Sequence, residues 1–261
     1  MIRCHDNGLV YYQFEIFQSF SELVHGVFTR QGGVSPAPCR GLNLAFVPED
    51  DEANVRTNLE LVRKTLGFEA LAFAGQVHDH QVLVVRAGDG YRPRRPAEVR
   101  RGYDALVTPD PGLGLLVKLA DCQGLLLFDP ETKMVAVVHC GWRGSAAGVI
   151  GRTVGQLADD FGVRPGGLLA GIGPSLGPCC AEFVNYRDEL PVEFRPYRVS
   201  DHHFDFWAIS RDQLLAAGLK PENIETAGIC TVCGSDEFYS YRRDKKVTGR
   251  FGLIAGRRKE K

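Results

Sequence analysis

A histidine, a cysteine and a second histidine stand in apolar, strand-like surroundings in "GQVHDH" (Gly75–His80), "LADCQG" (Leu119–Gly124) and "VVHCGWRGS" (Val137–Ser145). Three readings suit His78, Cys122 and His139. Protein donors of Cys/His type match a zinc ion that keeps an open fourth position, and long irregular spacings go with catalytic rather than structural sites. Cys122 with His139 is equally a thiol nucleophile with its base, the backbone amides of Gly141–Arg143 serving as oxyanion donors. Small polar residues packed into a strand core are the third reading. Spacing does not decide among them, because no compact ligand motif is present. Asp121, beside Cys122, is the nearest candidate acid/base, or else a hydrogen-bonded loop carboxylate.

The elements that must position these residues follow from periodicity. "GLLLFDP" and "KMVAVVH" are apolar runs around "DPET", Asp129–Thr132, which predicts a hairpin. With a four-residue turn, Phe128 opposes Lys133 and Cys122 opposes His139, with Cβ atoms roughly 4.5–5.5 Å apart. A bulge or another loop length would change that register. His78 must arrive from a different strand. "ALAFAGQVHDHQVLVV" reads as strand, turn and strand, "YDALVT" and "GLGLLVKLA" as further strands about a Pro109–Gly112 turn, and "GLLAGIG" as another buried strand. Helical spacing of Val55, Leu59, Val62 and Leu66 predicts a helix over Glu52–Leu66 that ends at Gly67. Further helices are expected at Ala146–Asp160, Arg187–Leu190 and Ala208–Ala217. After His139, Ser145 can cap a small-residue helix, whose N-terminus with Arg143 above it would suit an anion; a tight Gly-bounded turn packed by Trp142 is the alternative. The mixture of elements lacks the regular alternation of a doubly wound sheet.

The whole chain bounds the function. At 261 residues one large domain is expected over 1–261. A net charge of −1 gives no pull towards nucleic acid or membrane. No secretory apolar region opens the sequence and no stretch has the length of a membrane span. Eight cysteines in so large a chain are read as thiols of a reducing cytoplasm rather than disulfides. Cys230 and Cys233, in "CTVC", resemble half of a zinc ribbon or a redox pair but find no second CxxC; Cys179–Cys180 are adjacent and badly placed to bond one another. With no coiled coil or exposed apolar stripe, a monomer is expected. The loop "RPRRP" (Arg92–Pro96) is a solvated segment, and the basic tail Gly256–Lys261 a frayed end.

Other polar clusters sit in loops: Arg30 before Gly32-Gly33, Asn43 in "GLNLAF", and Arg242, Arg243 and Arg250 in "YSYRRDKKVTGR". Guanidinium groups recognise phosphate or carboxylate bidentately, although charged loops are commonly just solvated. Taken in order, "HGVFTRQGGVS", "LNL", "NVRTN", "QVH", "DALVT", "ADC", "HCGWRGSAAGVI", "AGIGPSLGPCC", "DFWAISRDQL" and "FYSYRRDKKVTGR" cover most of Gly26–Arg250. As a set they resemble the laccase-domain proteins, long named polyphenol oxidoreductases and later recognised as purine nucleoside phosphorylases. That resemblance implies a single α+β domain (core about 23–255) with mixed sheets flanked by helices, a fold related to toxin deamidase domains. It implies a zinc pocket with His78, Cys122 and His139 as ligands. It also implies phosphorolysis of adenosine, inosine, guanosine and methylthioadenosine, and hydrolytic deamination of adenosine. Purine nucleosides and phosphate are then the partners. Arg30 and Asn43 match the family's pocket loops, and Arg30, Arg143 or Arg242 could hold phosphate. Where many relatives have Thr before "ADC" and Pro-Val after it, this chain has Leu119 and Gln123-Gly124. Cys140 stands where Ala is usual, a second thiol near the site.

Rival functions remain open at this level. A copper polyphenol oxidase is what the older name suggests, but one Cys/His₂ set in a chain with two Met does not supply ligands for several copper ions. A Cys–His hydrolase or deamidase is the enzyme rival. A non-enzymatic binding protein, for instance of cell-wall machinery, predicts a tight protein contact and no turnover.

Overall fold

Near-continuous apolar runs such as "GLLLF" and "MVAVV" have no polar face to offer water, so strands made of them must be covered on both sides. The computed structural model, which describes residues 1–259, does this with four layers. The strands are β1 (Ile2–Asp6), β2 (Leu9–Gln13), β3 (Leu23–Phe28), β4 (Ala70–Phe73), β5 (Val82–Val84) and β6 (Ala105–Thr108). They continue as β7 (Leu113–Leu119), β8 (Gln123–Phe128), β9 (Val135–Cys140), β10 (Leu169–Ile172), β11 (Ile224–Thr226) and β12 (Phe251–Arg257). The helices are α1 (Glu52–Leu66), α2 (Trp142–Ala146), α3 (Val149–Phe161), α4 (Tyr186–Glu189) and α5 (Phe206–Ala216). One mixed sheet has the order β1-β2-β3-β12-β7-β4, the other β11-β10-β8-β9-β6-β5. The result is a single-domain α+β fold with two mixed sheets, as expected.

Side-chain alternation assigns each strand residue to a layer. Leu126 and Phe128 of β8, Val135 and Val137 of β9, Leu115 and Val117 of β7 and Leu253 of β12 meet between the sheets. Leu125, Leu127, Ala136 and Val138 face outward onto Val149, Ile150, Val154 and Leu157 of α3 and Leu214 of α5. Leu116 and Ile254 face the other way, onto Val55, Leu59, Val62 and Leu66 of α1. Burying each such side chain is worth about 1.5–3 kcal/mol, so the two-sided strands anchor the molecule. Helix α1 matches its expected bounds: the Asp51 side chain accepts from Ala53 N, and Gly67, at φ 74°, ends it in the left-handed conformation.

Several expectations are corrected. The hairpin pairs Phe128 with Val135 and Gly124 with His139, so Cys122 does not oppose His139. The loop runs over Asp129–Met134, because the Asp129 carboxylate accepts from Thr132 N (2.9 Å) and Thr132 Oγ1 (2.6 Å) and Lys133 takes φ 62°. Both strands expected over Ala70–Val85 are present, as β4 and β5, but the turn between them is a crossover that carries the chain from one sheet to the other. The helix after His139 breaks at Gly148 (φ 78°) into α2 and α3, and Ser145 does not cap it. Gly141 holds the N-cap position, while Ser145 Oγ bonds Gln213 Oε1 at 3.2 Å. The tail is not frayed up to Lys259: Arg257 ends β12 and Arg258 N donates to Glu22 O. Glu260 and Lys261 lie outside the described residues. Among the described residues no helix is long and apolar enough to cross a membrane.

Candidate metal centre

The chain passes from one sheet to the other along β4–β5 and again along β7–β8, and each crossing carries one donor, His78 and Cys122. The third, His139, lies near the end of β9, on the face directed between the sheets. Gln76 fastens the first crossing to β7. Its side chain accepts from Lys118 N (2.9 Å) and donates to Lys118 O (2.8 Å), standing in for a missing strand neighbour. That contact is made four residues before Cys122. His78 (φ 64°) and Asp121 (φ 85°) both take left-handed backbone, which costs a non-glycine residue on the order of 1–3 kcal/mol and is commonly kept at functional sites.

The donor atoms of His78, Cys122 and His139 lie within 4.8 Å of one another. The two imidazole rings meet edge to face with centroids 4.8 Å apart. His139 is buried, Cys122 half-buried and His78 exposed, so the set opens to solvent on one side. A Cβ at Gly141 would come within 2.8 Å of His78 Cδ2 and 2.9 Å of Cys122 Sγ, so only glycine leaves the space between them clear.

Asp104, at the start of "DALVT", is a residue that sequence reasoning passed over. It is fully buried, and its Oδ1 lies 2.7 Å from His139 Nδ1. The same carboxylate accepts from the amides of His78 (2.9 Å), Val77 (3.1 Å) and Asp79 (3.0 Å). Its carbonyl accepts from His139 N at 2.7 Å. Burial alone would raise the Asp104 pKa, but the His139 bond and these amides outweigh it and hold the carboxyl below its usual range. An ionised carboxylate only accepts, so His139 Nδ1 carries a proton whether the ring is neutral or charged, and Nε2 is the atom that would give up its proton to hold a metal. Burial works against charge on Cys122 and on His139, yet their mutual attraction prevails: the thiol is pushed down to about 6 and the imidazole up to about 9. The only sequence signal for Asp104 was an acid opening an otherwise apolar strand.

The remaining expected residues fall into two groups. Asp121 accepts from Thr231 Oγ1 (2.8 Å) on one carboxylate oxygen and from Arg242 N (2.7 Å) on the other, which pins the turn before Cys122. Arg242 donates to the carbonyls of Cys180 (3.1 Å) and Glu182 (2.6 Å) and lies over the Phe183 ring. Phe183 meets Trp142 edge to face, and Arg143 lies 4.2 Å from the Trp142 ring centroid, exposed. Pairwise contacts thus link Asp121 through Arg242, Phe183 and Trp142 to Arg143, with Phe183 itself buried among Phe204 and Phe206. Arg30 stands elsewhere, stacked on Tyr239 at 4.6 Å and lining a cavity of about 600 Å³ with Arg40, Ser35 and Asp236. Asn43 is fully buried, its amide bonded to Ala45, Asp50 and Arg250, so it shapes that loop from within.

The departures beside the centre also have places. Gln123 is buried and bonds Phe206 O and Ser210 Oγ, tying β8 to α5. Leu119 packs where a Cβ at Gly124 would sit, 2.6 Å from Leu119 Cδ1. Cys140 points to the opposite face from His139, into the α3 layer, where burial pushes its thiol up to about 12. Lys118 was not singled out either; its amine donates to Ala74 O (2.8 Å), and burial, with Arg250 nearby, pushes it down to about 8.

Residues 24–258 match the family model described as multi-copper polyphenol oxidoreductase laccase. The chain belongs to this family. Within it, a protein named purine nucleoside phosphorylase from Bacteroides thetaiotaomicron is 32% identical over 251 residues, covering 91% of this chain and 92% of that one. The purine nucleoside phosphorylase YlmD of Geobacillus stearothermophilus is 32% identical over 254 residues, with 92% of each chain covered. Among solved structures, YlmD from Geobacillus stearothermophilus superposes on this laccase-family chain with a TM-score of 0.89 at 30% identity, over 98% of both chains. Neisseria meningitidis protein NMB0706 does so with a TM-score of 0.81 at 26% identity, over 97% of this chain and all of the other.

Proposed function

We propose that the protein is a zinc-dependent purine nucleoside phosphorylase acting on adenosine, inosine, guanosine and methylthioadenosine, with adenosine deamination as a companion activity. The observation that carries this reading is the convergence of His78, Cys122 and His139 within 4.8 Å, in a chain whose relatives bear the phosphorylase name. One sulfur and two nitrogen donors beside an open face fit zinc, as does the clearance that Gly141 preserves. An ion bound there supplies a Lewis acid and can lower the pKa of water. The protein's own part is positional. Asp104 keeps the proton on His139 Nδ1, Asp121 holds the Cys122 turn, and the half-buried Trp142, backed by the buried Phe183, is the aromatic side chain next to Gly141. Arg143 and Arg242 supply positive charge for phosphate on the Asp121–Trp142 side, while Arg30 lines a separate cavity and Asn43 holds the loop after it from within. The proposed enzyme is a monomer of the reducing cytoplasm.

Copper oxidation would need donors for several ions, whereas the other donor cluster found among the described residues consists of thiols alone. One geometry favours a second reading: Cys122, His139 and Asp104 stand in the order nucleophile, base and orienting carboxylate. Adenosine turnover with and without phosphate, on protein assayed for metal in the same sample, separates the two. Phosphate-dependent release of adenine and ribose 1-phosphate is expected, and Cys122→Ala should lose both the metal and roughly 10²-fold or more of turnover. Full activity in metal-free Cys122→Ala would refute the phosphorylase mechanism. Turnover by metal-stripped wild type that alkylation abolishes would favour the thiol hydrolase.

A further inference from the structure

Away from the His78–Cys122–His139 set, four of the remaining cysteines converge. Cys179 and Cys180 sit in the turn after β10, and Cys230 and Cys233 in the segment between β11 and β12. Their sulfur atoms all lie within 4.8 Å of one another, and Cys233 Sγ is 3.7 Å from both Cys179 Sγ and Cys180 Sγ. A disulfide would bring two sulfurs to about 2.05 Å. Four thiolates placed tetrahedrally at about 2.3 Å around one ion stand about 3.8 Å apart, the spacing that these contacts approach.

We propose that Cys179, Cys180, Cys230 and Cys233 form a second, structural metal site that takes a zinc-type divalent ion as a closed tetrathiolate. The surroundings are built for it. Gly177 N donates to Cys230 Sγ at 3.4 Å, the kind of amide contact that orients and stabilises a thiolate ligand. A Cβ at Gly177 would press to 3.0 Å from Cys230 Cβ and 2.9 Å from Trp207 Cη2, so glycine is what allows the two loops to close. Ser175 N donates to Ile229 O, and Thr231 N donates to Ser175 O, which stitches the loops beside the sulfurs. Four thiolates around a divalent ion leave two negative charges; the Arg242 guanidinium stands by, and Arg243, itself paired with Asp244, braces the backbone beside Cys230 and Cys233. Arg242 is bonded to the Cys180 carbonyl, and Arg243 to those of Thr231 and Val232.

The site clamps the loops that hold the Asp121 turn, since Thr231 donates to Asp121 Oδ1. It is closed, with four protein ligands, and stabilises rather than reacts. Binding releases the thiol protons, so the ion raises the stability of the folded chain and a chelator lowers it.

The full-length Cys122→Ala variant tests this without interference from the first centre. It should retain about one zinc ion per chain. With cobalt in place of zinc it should show intense sulfur-to-cobalt charge transfer together with the visible bands of a four-thiolate tetrahedral ion. Adding Cys233→Ser should abolish those bands. Where that double variant fails to fold, native alkylation of Cys122→Ala serves instead, with Cys179, Cys180, Cys230 and Cys233 protected until a chelator is added. Metal-free Cys122→Ala that cannot be loaded, with these four thiols alkylated at once or recovered as a disulfide in the mass spectrum, would overturn the proposal.

Discussion

Asp104 concentrates more of the centre's geometry in one side chain than any of the three donors does. Its two oxygens meet one imidazole and three backbone amides, all as acceptors, in a fully buried position. Asp104→Asn keeps the size but replaces one acceptor by an NH₂ group that must face an N–H donor, whichever way the amide turns. Leaving such groups unpaired costs roughly 1–3 kcal/mol, and losing a carboxylate behind a metal-binding histidine typically costs 10–100-fold in affinity. We therefore expect Asp104→Asn to bind zinc about 10–100-fold more weakly in competition with a chelator while still folding. Unchanged affinity would mean that the carboxylate serves the loop alone. At this scale the donors were legible as residue types in apolar strands, and the family resemblance singled them out. Asp104 was not, because a lone acid opening a strand carries no spacing signal; only the closed fold brings it to His139, 35 positions away.

Between residue and molecule, the crossovers do the positioning, and their backbone is strained at His78 and Asp121. Such loops keep their shape only when side chains replace the strand neighbours they have lost. Gln76 is that replacement for the first crossing. Two neutral hydrogen bonds are worth about 1–3 kcal/mol in total, small against global stability but comparable with the strain they hold. Gln76→Ala should therefore speed amide exchange in residues 75–80 and weaken zinc binding several-fold, with α1 exchanging as in wild type. Slowed or unaltered exchange in that loop would show that Asp104 suffices. Element types were readable from periodicity, and α1 was readable to the residue because its caps are local. The hairpin register was not, since the Asp129 carboxylate lengthens the loop by capping Thr132, a contact that apolar patterning does not report. Nor could alternation show that β4 and β5 join different sheets, because strands buried on both faces look the same in either.

Across the whole molecule, the inter-sheet layer that shelters His139 also encloses a histidine that belongs to neither donor cluster found among the described residues. His25 on β3 packs against the rings of Phe14 (5.9 Å) and Phe17 (5.3 Å), and its Nε2 accepts from Phe14 N at 2.9 Å. The proton therefore sits on Nδ1, which is buried without a partner among the described residues. Burial pushes this imidazole down to about 4, against about 6.5 when unfolded. The sign follows from proton counting. Between those values the unfolded chain binds the extra proton and the folded chain does not, so stability is complete above about 6.5 and drains away as pH falls towards 4. A shift of this size corresponds to about 3 kcal/mol at most. Acid would also protonate the thiolate and imidazole donors of any bound metal, but equally so in wild type and in a His25→Gln variant, whose amide oxygen can still accept from Phe14 N. Denaturant unfolding at pH 7, 5.5 and 4.5 should show wild type losing about 2–3 kcal/mol more than His25→Gln across that range. Parallel losses in the two proteins would place the acid sensitivity of the fold elsewhere, in the carboxylates or the Cys/His donor clusters.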